Sequence, residues 1–240
     1  MVDIHVYNMI VTGIILLAGN STRYNKGYNK NLEILDNQPV FMYSLKAFLN
    51  NKLINDIILV VRYEDKKEIE SYLNNITLNK KVNLIIGGLS RMESVYNGII
   101  NSTSDLVVIH DGARPLIKDS YITKGIESMN KYLGAVTSVK VKDTIKITNN
   151  YGEIVSSTNR DYTYIGQTPQ TFNRQLLLEL HQKYKNNLDI TDDSMLFEKE
   201  GYKIKIIEGD YTNIKITTEE DLELAKIFLK NCKIINNHVK

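Results

Sequence analysis

A chain of 240 residues with 30 basic and 28 acidic side chains has a net charge of +2, so it has no whole-molecule attraction for nucleic acid or a membrane surface; any anion it recognises must be held locally. Its 42% hydrophobic and 24% charged residues exclude a disordered chain, and the length fits one α/β domain over 1–240. The single Cys232 excludes an internal disulfide, four scattered histidines without a cysteine cluster argue against structural zinc, and a reducing cytoplasm is the expected compartment.

The first predicted element is the apolar run from Ile14 to Ala18, read as a buried parallel strand. The stretch from Met9 to Ala18 also looks like the apolar core of a signal peptide, but no basic region precedes it and it is too short to span a bilayer. The strand leads into a polar loop within "GIILLAGNSTRYNKGYNKNLEIL", residues 13 to 35. There Gly19, Asn20, Ser21 and Thr22 can turn the chain so that several backbone N–H groups face one concavity, as a polyphosphate requires, and Arg23 and Lys30 add positive charge. The spacing is neither Gly-x-Gly-x-x-Gly nor a P-loop. A polar loop with two cations is also what a solvated strand-to-helix connection looks like, so this stretch alone leaves both readings open.

Further strands are expected at "DIILVV" (56–61), "VNLII" (82–86), "DLVVIH" (105–110) and "GAVTSVKV" (134–141), separated by amphipathic helical segments. This alternation predicts an α/β, Rossmann-like fold: a mostly parallel sheet flanked by helices, with ligands beyond the carboxyl ends of the strands. "DTIKITNNYGEIVSSTN" (143–159) instead reads as a β-hairpin around an Asn-Asn-Tyr-Gly turn. A lone hairpin is marginal, so it is expected to pack on something, a second subunit being the economical candidate. The Asn/Lys-rich tail from Lys230 is expected to fray.

Six more segments follow the first loop in one order: "GGLSRMESVYNGI" (87–99), "VVIHDGARP" (107–115), "VKDTIK" (141–146), "GQTPQTF" (166–172), "ITDDSMLFEKEG" (190–201) and "GDYTNIKITTEEDLELA" (209–225). Together the series resembles the cytidylyltransferases that activate sugar-alcohol phosphates, over residues 12 to 228. The 2-C-methyl-D-erythritol 4-phosphate cytidylyltransferases of the non-mevalonate isoprenoid pathway match best, and the ribitol-5-phosphate cytidylyltransferases are near cousins. "RMESVYNGI", "VKDTIK" and "DYTNIKIT" favour the former, while "YIGQTPQTF" looks at least as much like the latter.

The resemblance implies a nucleotidyltransferase fold of the GT-A type with a protruding β-arm, at about 142–164, that reaches into a partner subunit of a homodimer. It implies transfer of a cytidylyl group from CTP to a small polyol phosphate, with Mg²⁺ held largely by the CTP phosphates. Arg23 and Lys30 match the cations that hold the triphosphate; Arg160 and Lys215 match the basic pair that positions the acceptor phosphate, although each alone also reads as a surface salt bridge. Ala18, Gly19, Asn20, Ser21, Thr22, Gly87, Gly88, Arg91 and Ser94 match the CTP site, with Arg91 ordering the cytidine loop. Asp111, Arg114, Asp143, Thr144 and Arg160 match the polyol-phosphate site, and Asp111 is the metal candidate because a carboxylate beside a triphosphate is useful chiefly through Mg²⁺. His110 is read as packed rather than catalytic, and "TDD" at 191–193 as a helix N-cap before a substrate contact. This chain has Ser21 where the pattern has a second glycine, Asn29-Lys30 where it has Pro-Lys, Asn31 where it has Gln, and Leu89 where a polar residue is common. A catalytically silent nucleotide sensor on the same fold is the reading from another class, and retention of the four cations speaks against it.

Overall fold

The computed structural model describes residues 6–19, 28–185, 187 and 189–238, with side chains described as far as residue 231. The strands are β1 (Val11–Leu16), β2 (Ile34–Leu35), β3 (Gln38–Pro39), β4 (Asp56–Val61), β5 (Lys81–Ile86), β6 (Leu106–Asp111), β7 (Gly134–Lys140), β8 (Lys146–Thr148), β9 (Ile154–Ser157), β10 (Tyr164–Asn173) and β11 (Ile204–Glu208). The helices are α1 (Val40–Asn50), α2 (Lys66–Asn74), α3 (Arg91–Ile100), α4 (Asp119–Ser128), α5 (Arg174–Lys183), α6 (Ser194–Lys199) and α7 (Glu219–His238). Seven strands form one sheet in the order β11-β7-β10-β6-β1-β4-β5. All neighbours in it are parallel except β10, which runs antiparallel to both β6 and β7.

The apolar runs are continuous because the sheet is covered on both faces. Along β1 and just beyond it, Val11, Ile15 and Leu17 join the cluster under α1, α2 and α4, while Ile14, Leu16 and Ala18 join the one under α3, α5 and α6. The same period of two divides Ile57, Leu59 and Val61 of β4 from Ile58 and Val60. Gly13 lies on the α1 face, where a Cβ would come within 2.3 Å of the Phe48 ring, so only glycine lets α1 approach this closely. A smaller cluster of Leu35, Val40, Ile216, Leu222 and Ala225 docks α7.

The expected β-rich runs all carry strands, with three corrections. β1 begins at Val11 and ends at Leu16, so Leu17 and Ala18 form the exit from the sheet. Four strands were not expected: the two-residue β2 and β3, and the longer β10 and β11. β10 contains Gly166, Pro169 and a polar run that reads locally as a loop, yet Gln167, Thr168, Gln170 and Thr171 are buried in the sheet between β6 and β7. The tail also differs: α7 continues from Glu219 through Lys230 to His238.

The hairpin of 143–159 is present but shorter than read, with Lys146↔Ser157, Ile147↔Ser156 and Thr148↔Ile154 paired antiparallel and a register shift between the last two. Its turn is closed by Asn149, whose side-chain oxygen accepts from the Tyr151 and Glu153 N–H groups, with Gly152 at φ +80°. Every residue of both strands is exposed. Among the described residues no helix is long and apolar enough to cross a membrane.

Candidate active site

β1 and β6 are neighbours and end side by side, so their exits share one edge of the sheet. Gly112 follows β6 and donates its N–H to Leu16 O at 3.0 Å; a Cβ there would meet Leu17 Cδ2 at 2.2 Å, so the two exits close up only around glycine. A cavity of about 160 Å³ opens at this edge, lined by Leu16, Ala18, Gly19, Lys30, Asn31, Leu89, Arg91, Ser94, Asp111, Ala113 and Lys215. Three of its charged side chains are cations and one is an anion, a balance that suits a polyanionic ligand.

Asp111 is the centre of charge. Its carboxylate lies 2.7 Å from Lys215 Nζ, 3.5 Å from Arg91 Nε and 4.0 Å from Arg114 Nε. Burial alone would raise its pKa, but Arg91, Lys215 and Arg114 together hold it well below the usual carboxylate range. It is therefore ionised at neutral pH.

Each cation has its own support. Arg91, the first residue of α3, also pairs through Nη1 with Asp193 Oδ2 at 2.7 Å, and Asp193 Oδ1 is 3.0 Å from His181 Nε2. Asp193 is 2% exposed; burial would raise its pKa, but the Arg91 charge and the His181 hydrogen bond bring it down to about 2. Arg114 donates through Nη1 to Asn213 O at 2.7 Å. The segment with Lys215 is stapled by the buried Asn213, whose Nδ2 donates to Gln167 Oε1 and Thr168 O, and by the Ile216 N–H bond to Ala113 O.

His110 is packed, as expected. Burial lowers its pKa to about 3, so the ring is neutral, and its partners assign the tautomer. Nε2–H donates to Arg114 O at 3.2 Å, while Nδ1 accepts from Thr168 Oγ1, which in turn accepts from Asp111 N–H at 3.1 Å. A neutral histidine thus locks the backbone of both Asp111 and Arg114.

Lys30 opens a short 3₁₀ turn, Lys30–Leu32, beside the buried Asn29 and Asn31. Ser90 caps α3 by accepting from Glu93 N–H, and Glu93 Oε2 accepts at 2.6 Å from the N–H of Leu89, one residue before the cap, so two bonds order the helix entry. Ser94 Oγ accepts from Gly88 N–H at 3.1 Å. Gly87 and Gly88 line a second opening of about 310 Å³ that shares Ala18 and Leu89 with the first.

The structure thus brings Ala18, Gly19, Lys30, Arg91, Ser94, Asp111 and Lys215 to one cavity, with Gly87 and Gly88 beside it and Arg114 behind Asp111. Asp143, Thr144 and Arg160 are exposed on and beside the hairpin and do not line this cavity. Asn20, Ser21, Thr22 and Arg23 lie outside the described residues. The N-cap reading of "TDD" holds for Asp192, whose Oδ1 accepts from the Ser194 N–H at the start of α6, but not for the side chain of Asp193, which occupies the cap position without a cap bond and anchors Arg91. Asn213 and Asp193 lie inside recognised motifs, and Asn29 and Asn31 stand out only as departures from the pattern, but the Arg62–Asp65 pair has no local signal of a role.

The donor set fits Mg²⁺ only as a cation shared with a ligand. Asp111 supplies one ionised carboxylate, and the buried Asn31 Oδ1 in the same cavity has no hydrogen-bond partner among the described residues, so both offer hard oxygen. Among the described residues no group of three His, Cys, Asp or Glu side chains could cage a metal.

Comparison with known proteins points to one family. The family model for IspD, 2-C-methyl-D-erythritol 4-phosphate cytidylyltransferase, matches residues 11–231. The enzyme of that name from Caldanaerobacter subterraneus subsp. tengcongensis is 41% identical over 226 residues, covering 92% of this chain and 100% of the relative. The one from Clostridium tetani is 38% identical over 226 residues, covering 93% and 92%. The crystal structure of 4-diphosphocytidyl-2C-methyl-D-erythritol synthase from Anaerococcus prevotii superposes with a TM-score of 0.83 at 32% identity, covering 92% of this chain and 98% of that one.

Proposed function

The chain belongs to the 2-C-methyl-D-erythritol 4-phosphate cytidylyltransferase family, and on that premise we propose how it joins CTP to 2-C-methyl-D-erythritol 4-phosphate, giving 4-diphosphocytidyl-2-C-methyl-D-erythritol and pyrophosphate. The carrying observation is the cationic cavity at the ends of β1 and β6, where Lys30, Arg91 and Lys215 share a lining with Asp111. An acceptor phosphate oxygen attacks the α-phosphorus, the bond to the bridging oxygen of the β-phosphate breaks, and pyrophosphate leaves without a covalent enzyme intermediate. Two anions must meet, so the protein's contribution is positioning and preorganised positive charge.

Lys30 holds the triphosphate and stabilises the charge developing on the α-phosphoryl group, together with Arg23. Lys215 receives the acceptor phosphate, steadied by Asp111. The Gly87-Gly88 turn reads cytosine through its backbone, and the Ser94 hydroxyl that accepts from Gly88 fixes that turn. Asp111 is the residue that would hold Mg²⁺, which when bound supplies neutralisation of the triphosphate charge.

Residues 1–240 act as one catalytic unit, with the segment at about 142–164 as an arm onto a second copy of the chain. The support is the arm's exposed apolar surface: Ile147 is 49%, Ile154 64% and Val155 67% exposed. Pairing by a two-fold axis would bring Thr144, Asp143 and Arg160 of one protomer to the cavity of the other.

The test is pyrophosphate release with CTP and Mg²⁺, comparing methylerythritol phosphate and ribitol 5-phosphate, on wild type and Lys30→Ala. Methylerythritol phosphate should give the higher kcat/KM, and Lys30→Ala should lower kcat about 100-fold, the usual cost of removing one preorganised donor. A preference for ribitol phosphate, or wild-type turnover by Lys30→Ala, would overturn the corresponding part of the reading.

A further inference from the structure

The polar groups flanking Lys30 form a network centred on Asn29, a residue to which the chemistry above gives no role. Asn29 is fully buried, and its carboxamide nitrogen donates both to Leu17 O at 2.8 Å and to Asp65 Oδ2 at 2.7 Å. Its oxygen accepts from the Asn31 N–H at 3.0 Å and from Asn31 Nδ2 at 2.9 Å. Asn31 Nδ2 reaches the same Leu17 carbonyl at 3.2 Å. Asp65, at the entry to α2, is held by two bonds from Arg62 at 2.5 and 2.7 Å.

Leu17 is where the chain leaves β1, and Arg62 is where it leaves β4. The Asn29 carboxamide therefore ties the turn carrying Lys30 to the exits of two adjacent core strands. Lys30 follows Asn29 directly, and the segment joining Gly19 to Tyr28 lies between the two tied points. The residue that precedes Lys30 is thus tied directly to the sheet. All four donor and acceptor sites of the Asn29 side chain have partners, which is the condition under which a buried polar group enforces one geometry instead of costing stability.

We propose that Asn29, braced by the Asp65–Arg62 pair, is the positioning residue that aims Lys30 at the triphosphate. This rests on the reading of Lys30 given above. A cation acting on a transition state is sensitive to its placement, and a displacement of about 1 Å can cost a factor of about 100. The network supplies the rigidity that a long, single-charged lysine lacks on its own.

The experiment is a double-mutant cycle on kcat, with Asn29→Ala, Lys30→Ala and the double variant, CTP and acceptor saturating and residual rates followed with labelled CTP. Asn29→Ala should lower kcat about 10-fold or more in the wild-type background but less than about 2-fold once Lys30 is alanine. Asp65→Asn, which keeps the volume of the site, should show the same pattern more weakly, and it decides the matter if Asn29→Ala does not fold. An equal loss in both backgrounds would mean that Asn29 acts on the fold or on another group, and overturns the proposal. A wild-type rate for Lys30→Ala would instead overturn the role of Lys30. A large Lys30→Ala effect with no effect of Asn29→Ala or Asp65→Asn would leave Lys30 in place and remove its brace.

Discussion

Removing Asp193 tests the support behind the site. Its carboxylate is 2% exposed and touches both Arg91 at 2.7 Å and His181 at 3.0 Å. Its pKa falls from 3.8 to about 2 on folding, which at about 1.4 kcal/mol per unit favours the ionised form by about 2 kcal/mol. Breaking a fully buried pair by deleting one partner costs about 3–5 kcal/mol. Arg91 keeps a second carboxylate, Asp111, at 3.5 Å and is 30% exposed at the cavity, so the cost of Asp193→Ala should fall to about 2–3 kcal/mol. For a protein of this size that is a drop in Tm of about 4–12 °C. The pH dependence has a definite sign. A depressed carboxylate contributes its stability fully above the unfolded pKa near 4 and loses it as pH falls toward 2, so the gap between wild type and variant should narrow over that window. Urea melts at pH 7 and at pH 3 measure both quantities, and the same preparations should show kcat/KM for CTP lowered about 10-fold as Arg91 swings toward Asp111. A loss below about 0.5 kcal/mol at pH 7, within the range of an ordinary surface substitution, would refute the argument that this buried pair holds Arg91.

CTP should be used in preference to UTP by at least about 100-fold in kcat/KM, because a backbone turn that pairs the cytosine amino group is left unsatisfied by a carbonyl; equal values would remove Gly87 and Gly88 from base recognition. EDTA should abolish turnover and added Mg²⁺ restore it, and full activity in the chelator would exclude the metal. Inactive Lys30→Ala and Arg160→Ala preparations, dissociated and re-paired at random, should recover about a quarter of wild-type activity, since half the dimers then hold one intact site; no recovery despite mixed dimers by mass spectrometry would sink the shared site. Gly13→Ala should destabilise the fold by about 1–3 kcal/mol in urea melts, because its Cβ would press within 2.3 Å of Phe48; an unchanged midpoint would show that α1 can yield.

Much of this protein is legible in its sequence by itself. The apolar runs in β1, β4 and β6 announce strands buried on both faces, since a half-exposed strand would alternate with polar residues. The βα alternation then places the loops after those strands on one edge, and the motif order assigns Lys30, Arg91, Asp111 and Lys215 to one chemistry before any distance is known. What local pattern could not carry is pairing over long separations. β10 reads as a loop because its strand character comes from the ladders it makes with β6 and β7 on either side, not from its own residues, and Gln167, Thr168 and the Gln170 amide nitrogen find their hydrogen-bond partners in distant groups. Asp193 looks like a cap until Arg91, 102 positions earlier in the chain, is found against it. Asn29 looks like a loop residue until the end of β1 and the entry to α2 close around it. Sequence determines which groups are available and on which edge they emerge, because those follow from short-range periodicity. Which group satisfies which is decided only by the tertiary structure, because a buried hydrogen bond or ion pair joins whatever the packed strands bring within about 3 Å, however far apart along the chain.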